Sequence, residues 1–371
     1  MKNKTKTVYI LGAGFAIEAQ VPSQERLVQK IFETHQNNPH ILGEGKMLDF
    51  KAFLENTMHM PIELQETILL EDIFTPLDKC IADNMSFRNL SVEELKSKRE
   101  LIFELIGKTL EYILENSDKD YVNLFANYLV KTARCRKEKR YDEFDPVSVI
   151  STNWDILLDN SIYNTIKANR DDAVVDYCCY ISSYRKDDNT IKPGLEVLGR
   201  GGFNVKLLKL HGSLNWLQCP RCHRLYAEFD KKIAMYQFSP SYKPTCRHCN
   251  DNFGENKSHR LISNIIMPTF LKDLSNPQYK IIWQNAGIEL SEAKKIVFIG
   301  YSLPQADFEM RQLLSRMIDE KTEIEVVDYK DSKDKGAKFN TLISTYKQFF
   351  GRPIRSFEKG AKNYIKNELN F

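Results

Sequence analysis

Six short apolar runs, each closing on small or polar residues, constrain this chain more than any other feature: 7–11 (TVYIL), 147–151 (VSVIS), 206–210 (KLLKL), 263–267 (SNIIM), 295–299 (KIVFI) and 323–327 (EIEVV). Runs with so little apolar–polar alternation suit strands covered on both faces, as in a parallel sheet packed between helices. Helical spacing follows at 24–33, 155–167 and 308–319. This alternation predicts an α/β fold, a Rossmann-like doubly wound parallel sheet.

The alternation breaks between about 27 and 145. There Leu101, Ile102, Leu105, Ile106, Leu110, Ile113 and Leu114 recur at helical spacing, the mark of an amphipathic helix. The stretch reads as a helical insertion, either a structural cap or a lid or partner-binding surface. At 371 residues the chain is long enough for a large core and more than one domain. Its 42% hydrophobic and 28% charged residues exclude a disordered or fibrous class. Fifty-three Lys and Arg against 50 Asp and Glu leave a formal charge of +3, which argues against a protein held to nucleic acid mainly by phosphate contacts. The apolar part of the N-terminal segment is too short for a signal peptide, and no apolar stretch approaches the ~20 residues that cross a bilayer. A cytoplasmic protein, with no membrane partner, is the expectation.

Four of the eight cysteines form two CxxC pairs, Cys219 with Cys222 and Cys246 with Cys249, with 23 residues between the pairs. Each CxxC knuckle offers two corners of a tetrahedron, and two knuckles close a four-coordinate zinc site. Four thiolates leave no open position for a substrate, so the role expected of the zinc is structural. His223 and His248 lie beside the pairs and read as bystanders.

The other candidate residues stand at the ends of the apolar runs. Gly12-Ala13-Gly14-Phe15 follows the first run, where glycine permits a sharp turn and a close approach to phosphate. The third glycine of a dehydrogenase fingerprint would fall at position 17, which is Ile17, and no second strand ending in an acidic residue follows at the required distance. A conventional nicotinamide dehydrogenase is therefore disfavoured. Asn153 and Asp155 follow the second run, His211 the third, Gly300-Tyr301-Ser302 the fifth and Asp328 the sixth. Ligands of open α/β sheets bind beyond the carboxyl ends of the strands, so these scattered residues are expected to converge. Taken singly, Asn153 and Asp155 also read as turn formers or helix caps, and His211 as a structural histidine.

The order of these motifs resembles the sirtuin (silent information regulator 2) family: GAG, a Thr-Asn-x-Asp strand end, His-Gly, a CxxC…CxxC ribbon, then Gly-x-Ser-Leu. The resemblance covers about 1–25 and 147–330. It implies a sirtuin-like NAD-binding domain over 1–26, 147–212 and 260–371, with the helical insertion at 27–146 and the zinc-ribbon module at 213–259. It further implies that Gly12, Ala13, Gly14 and Phe15 meet the NAD pyrophosphate, and that Asn153 and Asp155 meet the nicotinamide ribose as catalytic residues, Asn153 positioning the water or the ribose and Asp155 stabilising positive charge or orienting the carboxamide. His211 would be the catalytic histidine, with Gly300, Tyr301 and Ser302 on the adenosine side and Asp328 near the adenine ribose.

Two departures from the deacylase pattern shape the expected activity. Where deacylases follow GAG with a Gly-Ile-Pro-Asp-Phe-Arg type segment, this chain has Gln20-Val21-Pro22-Ser23-Gln24-Glu25-Arg26. Their Phe-Gly-Glu peptide-binding strand is also missing, and Ile266-Met267-Pro268-Thr269-Phe270-Leu271-Lys272 stands instead. The chain is more similar to the sirtuin-like proteins of bacterial antiphage defence. These hydrolyse NAD+ to nicotinamide and ADP-ribose, and several act with a HerA-type hexameric ATPase. NAD+ as substrate, a structural zinc ion, a homo-oligomer and such an ATPase partner are what the resemblance implies. The alternatives are an NAD-dependent protein deacylase, and a module that senses NAD or ADP-ribose or docks nucleic acid through the basic run at 131–140.

Overall fold

The computed structural model describes residues 6–135, 145–186, 191–192, 194–239, 241–270 and 272–369. The basic run at 131–140 therefore lies outside the described residues from 136 onward, as does Leu271. Eleven strands occur among the described residues: β1 (Thr7–Leu11), β2 (Val147–Ser151), β3 (Ala173–Asp176), β4 (Ile181–Ser183), β5 (Phe203–Lys209), β6 (Gly212–Gln218), β7 (Leu225–Ala227), β8 (Ile262–Ile265), β9 (Lys295–Ile299), β10 (Glu323–Val327) and β11 (Arg355–Phe357).

Seven of them form one sheet in the order β11-β10-β9-β1-β2-β5-β3, and every pairing is parallel. The chain leaves β1 towards β2 and the β5–β3 edge, then returns to the other side of β1 through β9, β10 and β11. The order thus reverses between β1 and β9, which makes that junction the switch point of a doubly wound fold. Val8, Tyr9, Ile10 and Leu11 of β1 are all buried, and each fully buried aliphatic side chain contributes roughly 1.5–3 kcal/mol. That burial on both faces is why the run shows no alternation.

Register fixes what comes next. Leu11 lies opposite Ser151 and Ile299, Ser151 opposite Lys209, and Ile299 opposite Val327. The carboxyl ends of five neighbouring strands are level, and the residues that follow them share one edge.

The run at 263–267 departs from its expected place in the parallel sheet. Residues Ile262–Ile265 pair antiparallel with β6 in a second sheet of order β4-β7-β6-β8. Here β6 starts straight after His211 and leads into Cys219, so the strand that closes the cysteine module pairs with the strand that opens it. A five-residue apolar run does not encode which neighbour it will find.

The chain divides into two compact units. One comprises Met1–Ala19, Asp118–Ile265 and Leu274–Phe371 and holds both sheets. Within it the helix Asp120–Arg134 sets Tyr121 and Phe125 against Phe15, with ring centroids 5.6 and 5.8 Å apart. The other comprises Gln20–Ser117 and Ile266–Asp273. Its longest helix, Val92–Glu115, starts on a capping box in which Ser91 and Glu94 satisfy each other's backbone N–H groups. Leu95, Ile102, Leu105, Ile106 and Leu110 on that helix are buried, as their spacing requires. Among the described residues, no helix is long and apolar enough to cross a membrane.

Candidate active site and metal centre

The four cysteine sulfurs lie within 4.8 Å of one another. Cys219 Sγ is 3.8 Å from Cys249 Sγ, and Cys222 Sγ is 3.7 Å from Cys246 Sγ. Sulfurs 2.3 Å from a shared tetrahedral zinc would be about 3.8 Å apart, so the cluster is compatible with structural zinc. Leu217, Tyr226, Ile233 and Leu261 bury Cys219, Cys246 and Cys249, while Cys222 is exposed, and the Tyr226 hydroxyl stands 3.2 Å from Cys246 Sγ. Burial pushes the Cys219 thiol up to about 11, while hydrogen bonds led by Tyr226 outweigh burial and lower that of Cys246. His223 and His248 are exposed and outside the cluster. A bound ion would supply cross-linking of two knuckles, and no coordination position would remain for chemistry.

The strand-end residues form a second constellation. Gly12 N donates to Ile299 O at 3.1 Å and Gly14 N to Gly300 O at 2.8 Å, while Gly300 N donates to Val327 O at 2.9 Å. Gly300 has φ +61°, and a Cβ there would lie 2.2 Å from Gly14 C. A Cβ on Gly14 would in turn lie 2.5 Å from Gly300 Cα. The glycines at the switch point thus let two backbones cross almost in contact, which any side chain would prevent.

Asn153 Nδ2 donates to Gly12 O at 2.9 Å, joining the ends of β2 and β1. That bond fixes which way the amide faces and leaves Oδ1 as the acceptor that can orient a water molecule. Asp155 is buried, and its Oδ1 accepts from Leu157 N at 3.0 Å, at the start of the helix Leu157–Ala168. Burial raises its carboxyl above the ordinary range, against the opposing charge of Lys209. Lys209, itself 1% exposed, reaches the Asp155 carbonyl and sits 3.2 Å from Asp159 Oδ2.

His211 occupies the turn between β5 and β6. Leu210 N donates to Ser151 O at 2.9 Å, and Trp283 Nε1 donates to Leu210 O at 3.3 Å, so the backbone beside His211 is held from two directions. The next residue, Gly212, has φ +78° and would set a Cβ 2.0 Å from Asn264 O. A glycine directly after His211 is therefore a geometric necessity of this turn. Beyond β9, Tyr301 is buried while Ser302 is exposed. Tyr301 OH donates to Asp307 Oδ2 at 2.8 Å, and Tyr301 O accepts from Tyr346 OH at 2.7 Å. Asp328 is half-buried, its Oδ1 accepting from Tyr329 N at 2.7 Å, and burial raises its carboxyl.

Gly12, Gly14, Asn153, His211, Gly300 and Asp328 thus share one edge of the sheet. The ring of Phe15 instead faces Tyr121 and Phe125 in the core, and the side chain of Tyr301 turns inward to Asp307. Sequence reasoning did not single out Asp307 or assign a role to Lys209. Nothing in a linear sequence marks either as buried.

No family model matches the chain, and no curated protein matches it. Among solved structures, a Sir2 homologue in complex with NAD is similar over 98% of this chain and 88% of its own, at 11% identity and a TM-score of 0.42. A structure bearing on the mechanism and regulation of Sir2 enzymes is similar over 98% and 90%, at 13% identity and a TM-score of 0.39. A third, concerned with sirtuin substrate affinity, covers 87% and 82% at 15% identity and a TM-score of 0.38. These neighbours are sirtuins. The fold of the present chain stands on its own strand order and register.

Proposed function

We propose that this protein is an NAD+ hydrolase that cleaves the nicotinamide–ribose bond. The observation that carries the reading is the shared strand-end edge, where His211 and Asn153 follow β5 and β2 beside the Gly12–Gly14–Gly300 crossing at the switch point. Such an edge is where an open α/β sheet takes a dinucleotide. The motifs shared with the antiphage-defence sirtuin-like proteins supply the reaction and its setting, NAD depletion, with a homo-oligomer and a HerA-type ATPase as partners.

In the reaction, the bond between ribose C1′ and the nicotinamide nitrogen breaks, and its electron pair stays on nicotinamide. A water oxygen bonds to the oxocarbenium-like C1′, and one proton leaves, giving nicotinamide, ADP-ribose and H+. His211 accepts that proton from the water or from a ribose hydroxyl, since an imidazole exchanges protons near neutral pH. Asn153 Oδ1 orients the water without adding charge. Gly12, Ala13 and Gly14 with Gly300 and Ser302 border the dinucleotide, and Asp328 lies towards the adenine ribose.

The test is nicotinamide release from NAD+ alone, with no acylated peptide present. Nicotinamide and ADP-ribose are expected in equal amounts, and His211→Ala or Asn153→Ala is expected to lower the rate by roughly 10²–10⁴. Release that depends strictly on an acyl-lysine peptide would overturn the reading in favour of a deacylase.

A further inference from the structure

Asp307 precedes the helix Phe308–Met317 in the position of an N-cap, yet its side chain makes no capping bond. An aspartate there ordinarily turns its carboxylate onto the N–H groups of the first turn. This one is buried at 5% exposure and turns away from its own helix. Oδ2 accepts from Tyr301 OH at 2.8 Å, and Oδ1 lies 3.5 Å from His211 Nε2. His211 Nε2 is a buried nitrogen with no hydrogen bond among the described residues.

The loop from Tyr301 to Asp307 is held so that this approach is possible. Leu303 has φ +54°, a left-handed conformation that is strained for a residue with a side chain and persists only where surrounding contacts enforce it. Those contacts are present. Arg311 Nη1 donates to Leu303 O at 2.9 Å, Arg311 N to Asp307 O at 3.0 Å, and Tyr346 OH to Tyr301 O. The loop follows β9, whereas His211 follows β5, and β1 and β2 lie between those two strands. A strained loop therefore spans the edge of the sheet and delivers one carboxylate to one imidazole.

We propose that Asp307 is the positioning residue for His211: its carboxylate, anchored on Oδ2 by Tyr301, holds the Nε2–H tautomer of the imidazole and leaves Nδ1 as the nitrogen that takes the proton. The inference rests on His211 being the proton acceptor of the hydrolase reading. In that step one proton passes from the water or the ribose hydroxyl to Nδ1, the imidazolium is stabilised by the Asp307 carboxylate, and Nδ1 then returns the proton to solvent. The distance of 3.5 Å is longer than a made N–H···O bond and of the kind that closes when substrate fills a site. The groups around the pair include Arg311, which acts on Tyr301 by charge, and Tyr346 behind Tyr301; the Trp283 ring, 6.4 Å away, flanks the imidazole without charge.

Two readouts on the full chain test this. The first needs no turnover: ¹⁵N-histidine NMR at alkaline pH reports which ring nitrogen carries the proton, and the signal missing from His211→Gln identifies His211 among the seven histidines. The parent is expected to show Nε2–H, and Asp307→Asn, whose amide can donate to Nε2, is expected to show Nδ1–H. The second is steady-state nicotinamide release. Asp307→Asn is expected to lower kcat at least 100-fold with KM for NAD+ within about threefold, because the wrong tautomer disables the acceptor and not the binding surface. Tyr301→Phe, which keeps the ring and loses only the anchor, is expected to lower kcat by about 3–30-fold. If Asp307→Asn keeps the Nε2–H tautomer and its melting transition matches that of the parent, the proposal is wrong. If the tautomer reverses but the parent releases no nicotinamide from NAD+, the Asp307–His211 pairing stands and the hydrolase reading fails.

Discussion

At the amino-terminal side of the parallel sheet, two lysines and three carboxylates form one linked, largely buried network. Lys6, just before β1, lies 2.7 Å from Glu289 and 2.6 Å from Glu292, and Lys206 of β5 lies 2.6 Å from Glu289 and 2.5 Å from Asp145. At the carboxyl-terminal side, polar groups are buried with their matching left incomplete. His211 Nε2 has no hydrogen bond among the described residues, Asp155 has its carboxyl raised by burial, and Gly14 and Gly300 press together where no side chain fits. The charged groups at one end of the sheet close on one another, and the other end leaves an imidazole nitrogen open beside the buried Lys209–Asp159 pair. On the proposed function, the chemistry lies at that open end.

The largest effect on stability is expected from breaking the closed end. Lys6→Met removes one cation and leaves Glu289 and Glu292 short of a partner, and losing one member of a buried pair costs about 3–5 kcal/mol. Urea unfolding should show that loss, while kcat per folded molecule stays at the parent value. A loss of activity without a loss of stability would break the comparison.

Gly300→Ala attacks the open end through the backbone. A residue with φ +61° pays roughly 1–3 kcal/mol for the left-handed conformation, and its Cβ must also displace Gly14. A destabilisation of that size, with a rise in KM for NAD+, is expected in paired unfolding and kinetic measurements. Gly351 has nearly the same φ, +63°, but no atom within 4 Å of an added Cβ, so Gly351→Ala should show the strain and leave KM unmoved.

The smallest effect is the pH dependence, where the two ends should differ in sign. Burial alone would raise the Glu289 carboxyl, but Lys206 and Lys6 outweigh it and the net shift is downward. Its contribution is therefore present above the ordinary carboxylate range and lost as pH falls through the lowered folded value. Asp155 is shifted upward by burial, so its ionisation opposes folding, and stability falls as pH rises from its unfolded value through its folded one. Urea midpoints across the acid range should lose the first slope in Glu289→Gln and the second in Asp155→Asn. Slopes of the same sign in both variants would remove the distinction.

Much of this was legible in the sequence because it follows from local chemistry. The runs at 7–11, 147–151, 295–299 and 323–327 match β1, β2, β9 and β10 residue for residue, since burial on both faces suppresses alternation. The cysteine spacing predicted a cluster because two knuckles can close on one ion whatever fold surrounds them. The helical spacing around Leu105 likewise reflects a single amphipathic face. These signals lie within a few turns of chain, and composition and periodicity carry them.

Other features depended on partners distant in sequence. The run at 263–267 was legible as a strand but not as an antiparallel partner of β6, because pairing is decided by which edge is available. Gly14 and Gly300, 286 residues apart, each read as turn glycines; only their crossing shows that neither can carry a Cβ. Asp307 carries no signal of its own, and a sequence cannot report that its carboxylate lies beside His211. The sequence by itself determined five strands of the parallel sheet, the four clustered cysteines and the list of strand-end residues. Tertiary structure alone decided their common edge, the closed and open ends of the sheet, and the carboxylate set beside the histidine, since burial and long-range approach exist only once the chain has folded.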